Sequence, residues 1–184
     1  GDLDHAKNRR ALRVMSNAFI ALGANLGDPA QQLKQALLHL SQSAHLNLIN
    51  VSSLYHSKPM GPQDQPDYVN AVCQVECHDL TAEQLLALLH HVEDEFGRQR
   101  IRHWGERTLD LDLLLFDDVR SDTEVLKLPH PGIYERRFVL QPLAEFAPQL
   151  ELPNNNTVAQ QLAMLTDEPL AVLCSHSELM TLLS

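Results

Sequence analysis

The sequence predicts an α+β fold in which the chain runs strand-helix-strand and then strand-helix-strand again. Residues 107–116, Arg-Thr-Leu-Asp-Leu-Asp-Leu-Leu-Leu-Phe, begin with the apolar and polar alternation of period two that is typical of a strand. Elsewhere, leucines recur at helical spacing after residues that commonly begin helices. The chain has 184 residues, of which 44% are hydrophobic, and this is enough to form the core of one domain.

The first unit starts with a short apolar strand at 18–23. A turn follows, in which Asp28 is a predicted helix N-cap and Pro29 takes the first helical position. Residues 46–55 then predict a second strand. Because the glycine turn after the first strand contains neither GxGxxG nor GxxxxGK[ST], we interpret it as mainly structural. The predicted apolar face of the helix is formed by Leu33, Leu37, Leu38 and Leu40.

Residues 57–68 predict a functional loop, because they hold three prolines and one glycine and are too many for a simple hairpin turn. The strand that resumes at 68–77 places Tyr68 and Asn70 on one face. They could stack on a flat heterocycle and hydrogen-bond its edge. The residues alone also allow a structural alternative, in which the tyrosine packs in the protein and the asparagine caps a turn.

The cysteines indicate a reducing environment. There are three of them, without a CxxC pair, and the sequence shows no secretory signal. Cys73 and Cys77 share the strand parity of apolar neighbours, so we predict that both are small buried residues. We therefore expect a cytoplasmic protein.

The second unit contains a helix that opens at Thr81, followed three residues later by Gln84 in an N-cap pattern. Near its end, Glu93 and Glu95 lie where the helix dipole disfavours anions. Either they are solvated, or one of them accepts a hydrogen bond from a nucleotide or an arginine. Gly97 is a suitable residue to end this helix.

Asp110 and Asp112 should point to the same face of the next strand, opposite the leucines. The apolar run to Phe116 predicts that this strand is central in the sheet. Two neighbouring carboxylates repel each other, and a divalent cation such as Mg²⁺ removes that repulsion. The alternative is a half-exposed strand with its polar face in water.

A basic segment lies just before the aspartates. Residues 98–107 hold four arginines and one glutamate, a local charge of +3 in a chain of net charge −10. Arginine forks and a metal would suit a polyphosphate. A solvated basic loop is the alternative. Together, the basic segment and the carboxylate pair favour a nucleoside triphosphate site.

The remaining sequence is less specific. Residues 125–129 predict a short strand, 138–143 predict apolar packing, and Thr157 caps a predicted helix at 158–164. We expect residues 1–14 to be a leader or a disordered extension, 15–165 to be a single catalytic domain, and 166–184 to be a loosely packed C-terminal appendage of that domain. The pI near 5.3 and the lack of a long apolar stretch argue against nucleic-acid and membrane binding.

Two motifs carry a family resemblance: Gly-Pro-Gln-Asp-Gln-Pro-Asp-Tyr-Val-Asn at 61–70 and Trp-Gly-Glu-Arg-Thr-Leu-Asp-Leu-Asp at 104–112. With them, the chain from about residue 17 to 165 resembles hydroxymethyldihydropterin pyrophosphokinases of folate biosynthesis. The resemblance implies a ferredoxin-like α+β fold, with an antiparallel sheet, helices on one face and mobile active-site loops. It also implies transfer of the β,γ-diphosphate of MgATP to the hydroxymethyl group of a reduced pterin, with release of AMP.

The same resemblance implies roles for individual residues. Asp110 and Asp112 would hold two Mg²⁺ ions, and Tyr68 and Phe138 would sandwich the pterin. Arg98 and Arg107 would join the two aspartates as catalytic residues. The implied pterin site comprises Ser57, Met60, Tyr68, Asn70, Trp104 and Phe138. The implied ATP site comprises His90, Glu93, Arg98, Arg100, Trp104, Arg107, Leu113, His130 and Arg136. We expect a monomer.

Two other functions remain alternatives. A catalytically silent relative could bind pterin or nucleotide as a regulatory module, although Arg98, Arg107 and the intact aspartate pair argue against it. A metal-dependent phosphohydrolase could use the same carboxylates. The shared face of Tyr68 and Asn70, and the lack of an obvious general base for water, disfavour this second alternative.

Overall fold

Six strands form one antiparallel sheet in the computed structural model, which describes residues 14–97 and 109–184. The strands are β1 (Met15–Ala24), β2 (Leu46–Val51), β3 (Leu54–Ser57), β4 (Tyr68–His78), β5 (Asp110–Phe116), β6 (Ser121–Asp122), β7 (Lys127–Leu128) and β8 (Val172–Cys174). Strand β4 pairs with β1 on one side and with both β2 and β3 on the other. Strand β5 lies beyond β1, and β8 lies beyond β3. Strands β6 and β7 form a separate hairpin.

The helices are α1 (Pro29–Ser41), α2 (Ala82–Gly97), α3 (Arg137–Phe146), α4 (Val158–Ala163) and α5 (His176–Leu183). The chain therefore runs β1-α1-β2 and then β4-α2-β5 within one antiparallel sheet, and this confirms the predicted ferredoxin-like α+β fold. None of the helices in the described ranges is long and apolar enough to cross a membrane.

Helices cover both faces of the sheet, so the expectation of helices on one face only was wrong. In β1, Ile20 and Leu22 pack into a core with α1, α2 and α5. The alternate residues Phe19 and Ala21 pack into a second core with α3 and α4. A strand that is apolar on both faces needs a layer on each side, and β1 meets that condition.

Side-chain caps confirm the predicted helix starts. Asp28 Oδ1 accepts a hydrogen bond from the Gln31 amide at 3.2 Å. Thr81 and Gln84 bond each other reciprocally, at 2.9 and 3.1 Å. Thr157 forms the same reciprocal pair with the residue three positions later. The α1 face differs in one residue: Leu38 is 39% exposed because it lies about 100° around the helix from buried Leu37.

The predicted strand at 46–55 is interrupted. Ser52 and Ser53 separate β2 from β3, and both strands pair with β4. The Ser52 amide donates to the Val72 carbonyl at 2.9 Å, and Ser52 Oγ accepts from the Val72 amide at 2.9 Å. At the break, the Ser52 hydroxyl thus takes the place of a backbone carbonyl as the acceptor for the Val72 amide. The alternation of apolar residues in the sequence does not reveal such an interruption.

Strand β5 lies at the end of the sheet, so the prediction of a central strand was wrong. Within 14–97 and 109–184 its pairing partner is β1. Its apolar residues are nevertheless buried on both sides, with Leu113 in one core and Leu114 in the other. The apolar run therefore reflects two helical layers above and below the strand, and not two neighbouring strands.

All three cysteines are free and buried, which confirms the prediction for Cys73 and Cys77. Burial raises the pKa of the Cys73 thiol to about 12. Burial, with smaller contributions from Asp117 and Glu76, raises the pKa of Cys77 to about 11. Both thiols therefore stay protonated at neutral pH, and the folded protein contains little of the reactive thiolate.

Helix α3 was not predicted as a helix. Residues 138–143 were expected only to pack as an apolar segment, but they form most of α3. Pro142 lies inside this helix, and proline normally argues against a helical interior. The helix survives because its buried face, which includes Val139, Leu140 and Leu143, packs against the sheet.

The C-terminal tail joins the core, so the expectation of loose packing was wrong. Strand β8 extends the sheet beside β3, and Leu179 of α5 is fully buried. The His176 amide donates to Ser53 Oγ at 3.0 Å, and Arg137 pairs with Asp167 at 2.9 Å. The division into residues 1–14, 15–165 and 166–184 stays a prediction.

The contribution of the C-terminal tail to stability can be measured by replacing two of its leucines with alanine. We expect Leu179→Ala to lower the free energy of unfolding by about 2–4 kcal/mol, because it leaves a cavity at a fully buried site. Leu182→Ala, at a residue that is 56% exposed, should change it by less than about 0.5 kcal/mol. Urea unfolding would test both, and equal effects would contradict the packed tail.

Candidate active site

Two cavities meet at the start of β5. The aromatic cavity has a volume of about 370 Å³, and the histidine cleft has a volume of about 540 Å³. Asp110, Asp112 and Arg136 line both of them. The other lining residues of the aromatic cavity include Gly23, Ser57, Met60, Gln65, Tyr68, Asn70 and Phe138. Those of the histidine cleft include Leu86, His90, Glu93, Leu113, Val125, Lys127 and His130.

Asp110 and Asp112 lie on one face of β5, as the alternation predicted. Both are partly exposed, whereas Leu111 between them is buried. The Asp112 Oδ2 atom lies 3.9 Å from His130 Nε2. The carboxylate pair therefore forms the common wall of the two cavities, and a group bound to it would face both.

The aromatic cavity is a slot between β4 and α3. Tyr68 and Asn70 share a face of β4, and the Ser57 hydroxyl donates to Asn70 Oδ1 from the neighbouring strand. Phe138 lies in the first turn of α3, and the Arg136 guanidinium lies 5.7 Å from the centre of its ring. Two rings and one oriented amide suit a flat, polar heterocycle.

Residue 23 must be small for the aromatic cavity to keep its shape. A Cβ atom on Gly23 would lie 3.1 Å from Asn70 Nδ2 and 3.8 Å from Tyr68 Cδ1. Few real Cβ contacts are as close as the first of these distances. Gly23 lies near the end of β1, before the glycine turn, and its lack of a side chain admits the two side chains that define the slot.

Asn25 and Gln65 belong to the site, although neither was predicted. Asn25, which is 1% exposed, donates through Nδ2 to Gln65 Oε1 at 2.9 Å and to the Pro66 carbonyl at 3.0 Å. These bonds tie the loop before β4 to the end of β1. The sequence shows only an asparagine directly after an apolar strand, and its partners lie 40 and 41 residues away.

His130 presents its Nε2 atom to the carboxylate pair. Its Nδ1 accepts a hydrogen bond from the Gly132 amide at 3.0 Å, so in the neutral ring Nε2 carries the proton. Burial lowers the pKa of His130; Asp112 opposes this shift, and Arg136 adds to it. The uncharged ring can therefore donate a hydrogen bond from Nε2 at neutral pH.

Gly132 also makes room for Arg136. A Cβ atom on Gly132 would lie 2.4 Å from Arg136 Nε and 2.6 Å from its Cζ. The guanidinium thus lies against the backbone of the segment that holds His130. From there it borders both cavities, so one cation can reach a ligand in either of them.

Glu93 has a partner that neither of the expected alternatives included. Its Oε2 accepts a hydrogen bond from the Leu111 backbone amide at 3.0 Å. His90, one turn earlier on α2, is exposed at the same cleft. The predicted nucleotide residues His90, Glu93, Leu113, His130 and Arg136 are therefore brought together.

The carboxylate pair fits a hard divalent cation. Within the described parts of the chain, no group of three or more His, Cys, Asp or Glu residues could hold a metal by itself. Mg²⁺ commonly takes one or two carboxylates and completes its shell with water and substrate phosphate oxygens. Asp110 and Asp112 match that donor set.

Four predicted site residues, Arg98, Arg100, Trp104 and Arg107, lie outside the described residues. Every other predicted site residue lines one of the two cavities. Met60 is 70% exposed and lies at the mouth of the aromatic cavity.

Comparisons with known proteins agree on one family. Residues 19–148 match the family described as 7,8-dihydro-6-hydroxymethylpterin-pyrophosphokinase (HPPK). A 2-amino-4-hydroxy-6-hydroxymethyldihydropteridine pyrophosphokinase from Haemophilus influenzae is 46% identical over 159 residues, which cover 86% of this chain and 99% of that protein. The protein of the same name from Bacillus subtilis is 45% identical over 134 residues, covering 73% and 80% of the two chains.

A solved structure supports the fold alone. The chain is similar to Plasmodium falciparum HPPK-DHPS crystallised with pteroate, with a TM-score of 0.64 at 14% sequence identity. The match covers 83% of this chain and 42% of that one, so this chain spans less than half of the Plasmodium protein.

Proposed function

Because this chain belongs to the 7,8-dihydro-6-hydroxymethylpterin-pyrophosphokinase family, we propose that the junction of its two cavities is where the family's reaction takes place. The enzyme is an ATP-dependent pyrophosphokinase of folate biosynthesis. It transfers diphosphate from ATP to 6-hydroxymethyl-7,8-dihydropterin and yields the pterin diphosphate and AMP. The observation that carries the site assignment is that Asp110 and Asp112 line both cavities, so both substrates can reach one carboxylate pair.

In this proposal the pterin occupies the aromatic cavity. The ring stacks between Tyr68 and Phe138, and Asn70 hydrogen-bonds its edge. Ser57 holds the Asn70 amide in one orientation through the bond to Oδ1, so the donor side of the amide is presented to the ligand. Asn25 and Gln65 keep the loop before β4 closed against the slot. The hydroxymethyl group then points toward the aspartates.

ATP occupies the histidine cleft in this proposal, between α2 and the segment around His130. The phosphates reach Arg136 and the neutral His130, which donates from Nε2. Arg98, Arg100, Trp104 and Arg107 are proposed to contribute from the segment between α2 and β5. Since the transferred group is highly charged, positioning and charge neutralisation supply most of the catalysis.

We propose that Asp110 and Asp112 hold Mg²⁺, with two ions when both substrates are present. When bound, the metal neutralises charge on the phosphate oxygens. The chain's own contribution is to hold the two carboxylates on one rigid strand between the two ligands. Arg136 lines both cavities, so its guanidinium can contact phosphate oxygens on either side of their boundary.

A coupled assay for AMP tests the proposed function. AMP should form from MgATP only when 6-hydroxymethyl-7,8-dihydropterin is present, in a one-to-one ratio with the pterin diphosphate. Binding of both ligands without AMP would indicate the silent regulatory module. Phosphate release without pterin would indicate the phosphohydrolase.

Gly23→Ala should weaken pterin binding. The added methyl group must push the Asn70 amide by a few tenths of an ångström, and the amide is already held by Ser57. We expect the pterin Kd to rise about tenfold, the equivalent of about 1.4 kcal/mol, with ATP affinity unchanged. Calorimetric titration would measure both.

Gly61→Ala is the matched control, because its Cβ would meet only the end of the Gln65 side chain at 3.4 Å. An unchanged pterin Kd in Gly23→Ala would contradict the tight slot.

We also propose that the enzyme acts as a monomer in the cytoplasm. Three buried, unpaired cysteines suit a reducing compartment. Light scattering over a range of protein concentrations would test the monomer.

A further inference from the structure

We infer that Glu93 is a positioning residue. Through its bond to the backbone of β5, it holds the Asp110 and Asp112 carboxylates in the orientation that binds a divalent cation. The inference rests on the proposed function of the carboxylate pair. It assigns Glu93 a role different from the nucleotide contact that the family resemblance implied.

The two edges of β5 have different partners. The inner edge of the strand pairs with β1, with Leu111 opposite Leu22. On the outer edge, the Leu111 amide donates to Glu93 Oε2 at 3.0 Å, and the Leu114 carbonyl accepts from the His130 amide at 3.0 Å. Within 14–97 and 109–184, one side chain and one loop thus occupy the edge at which a further strand would pair.

The Leu111 amide lies between the two aspartates along β5. The Leu111 side chain is 2% exposed and packs in the core with α2. The peptide unit is therefore held by the buried leucine and by the Glu93 bond, in addition to the pairing of β5 with β1. Since the aspartates are the immediate neighbours of Leu111, loss of the bond would allow both carboxylates to change direction together.

The two possible roles of Glu93 have different consequences. A nucleotide contact would act on ATP affinity, and at a saturating ATP analogue it would leave the affinity of the carboxylates for a cation unchanged. A positioning role acts on the carboxylates and therefore on divalent-cation affinity and kcat. Groups that orient metal ligands commonly change metal affinity or activity by about 10- to 100-fold when they are removed.

The test uses Mn²⁺ as the probe, because its binding can be followed by electron paramagnetic resonance without turnover. We expect Glu93→Ala to weaken Mn²⁺ binding in the presence of a non-hydrolysable ATP analogue by about tenfold or more. Its kcat should fall by a similar factor, while the pterin KM stays within about twofold. Glu93→Gln has a side chain of the same length with an oxygen that can accept a hydrogen bond from the Leu111 amide. This variant should therefore keep most of the Mn²⁺ affinity that Glu93→Ala loses.

Two controls complete the experiment. Asp94→Ala removes a charge from the neighbouring exposed position of α2 and should leave Mn²⁺ affinity unchanged. Amide hydrogen exchange should quicken at Leu111 in Glu93→Ala and remain slow in Glu93→Gln. If Glu93→Ala does not fold, Glu93→Met keeps the chain length without an oxygen and carries the same expectation.

Three results would overturn the inference. One is wild-type Mn²⁺ affinity in Glu93→Ala. Another is an equal loss in Glu93→Gln and Glu93→Ala, because the charge and not the bond would then matter. The third is a change confined to the KM for ATP, which would make Glu93 a nucleotide contact only. If the wild-type enzyme itself binds no Mn²⁺ with the ATP analogue, the proposed metal site fails instead.

Discussion

Asp112→Ala should lower kcat by about a thousandfold or more while leaving the fold intact. The residue is one of two carboxylates shared by both cavities, and metal-ion stabilisation of a phosphoryl-transfer transition state is worth several kcal/mol. Removal of one carboxylate also relieves like-charge repulsion, so the melting temperature without Mg²⁺ should stay the same or rise. Steady-state AMP formation at saturating Mg²⁺, and thermal melts in EDTA, would measure the two effects. Asp110→Ala should behave in the same way.

Asp118→Ala is the matched control for this prediction. Asp118 is an exposed carboxylate in the turn after β5, so its removal changes the net charge equally without touching the site. Near-normal turnover in Asp112→Ala would refute the assignment of the carboxylate pair to the metal. A large loss of melting temperature would instead show that the aspartate has a structural role.

Phe138→Ala should raise the pterin Kd by about 10- to 100-fold and leave ATP affinity within about twofold. The change removes one of the two rings of the slot, and an aromatic contact is worth about 0.5–1.5 kcal/mol beyond the area it buries. Tyr68→Phe should retain most of the binding, because the stacking face remains. Fluorescence or calorimetric titration with the pterin would measure both variants.

Phe146→Ala separates binding from stability. It removes the same side chain from the other end of α3, where the ring stacks on Phe19 with the centroids 6.3 Å apart. We expect a lower melting temperature and an unchanged pterin Kd. Wild-type pterin affinity in Phe138→Ala would contradict the proposed clamp.

Local patterns predicted the elements that depend on local forces. The alternation in β5 placed Asp110 and Asp112 on one face, and Asp28, Thr81 and Thr157 marked helix starts with bonds to amides three residues away. These contacts span a few residues, so sequence spacing alone specifies them. The roles assigned to individual site residues came from the family motifs, and they stay predictions.

Contacts between distant segments could not be predicted in the same way. An apolar run indicates that β5 is buried, but it does not distinguish a neighbouring strand from a helical layer. Pro142 argued against a helix at α3, so the sequence did not predict this helix, which covers the second face of the sheet together with α4. The bonds from Asn25 to Gln65 and from Glu93 to Leu111 join segments 40 and 18 residues apart. Only the folded topology brings them together.

The three buried cysteines have a practical consequence for chemical labelling. Since Cys73, Cys77 and Cys174 are all buried in the folded chain, maleimide reagents have little native thiol to attack. A cysteine introduced at an exposed position would therefore be the main reactive thiol of the folded protein. Met60, at the mouth of the aromatic cavity, and Val125, at the histidine cleft, are 70% and 74% exposed. A dye at residue 60 would lie beside the aromatic cavity and a dye at residue 125 beside the histidine cleft, so each would report ligand binding near its own position without removal of any native cysteine.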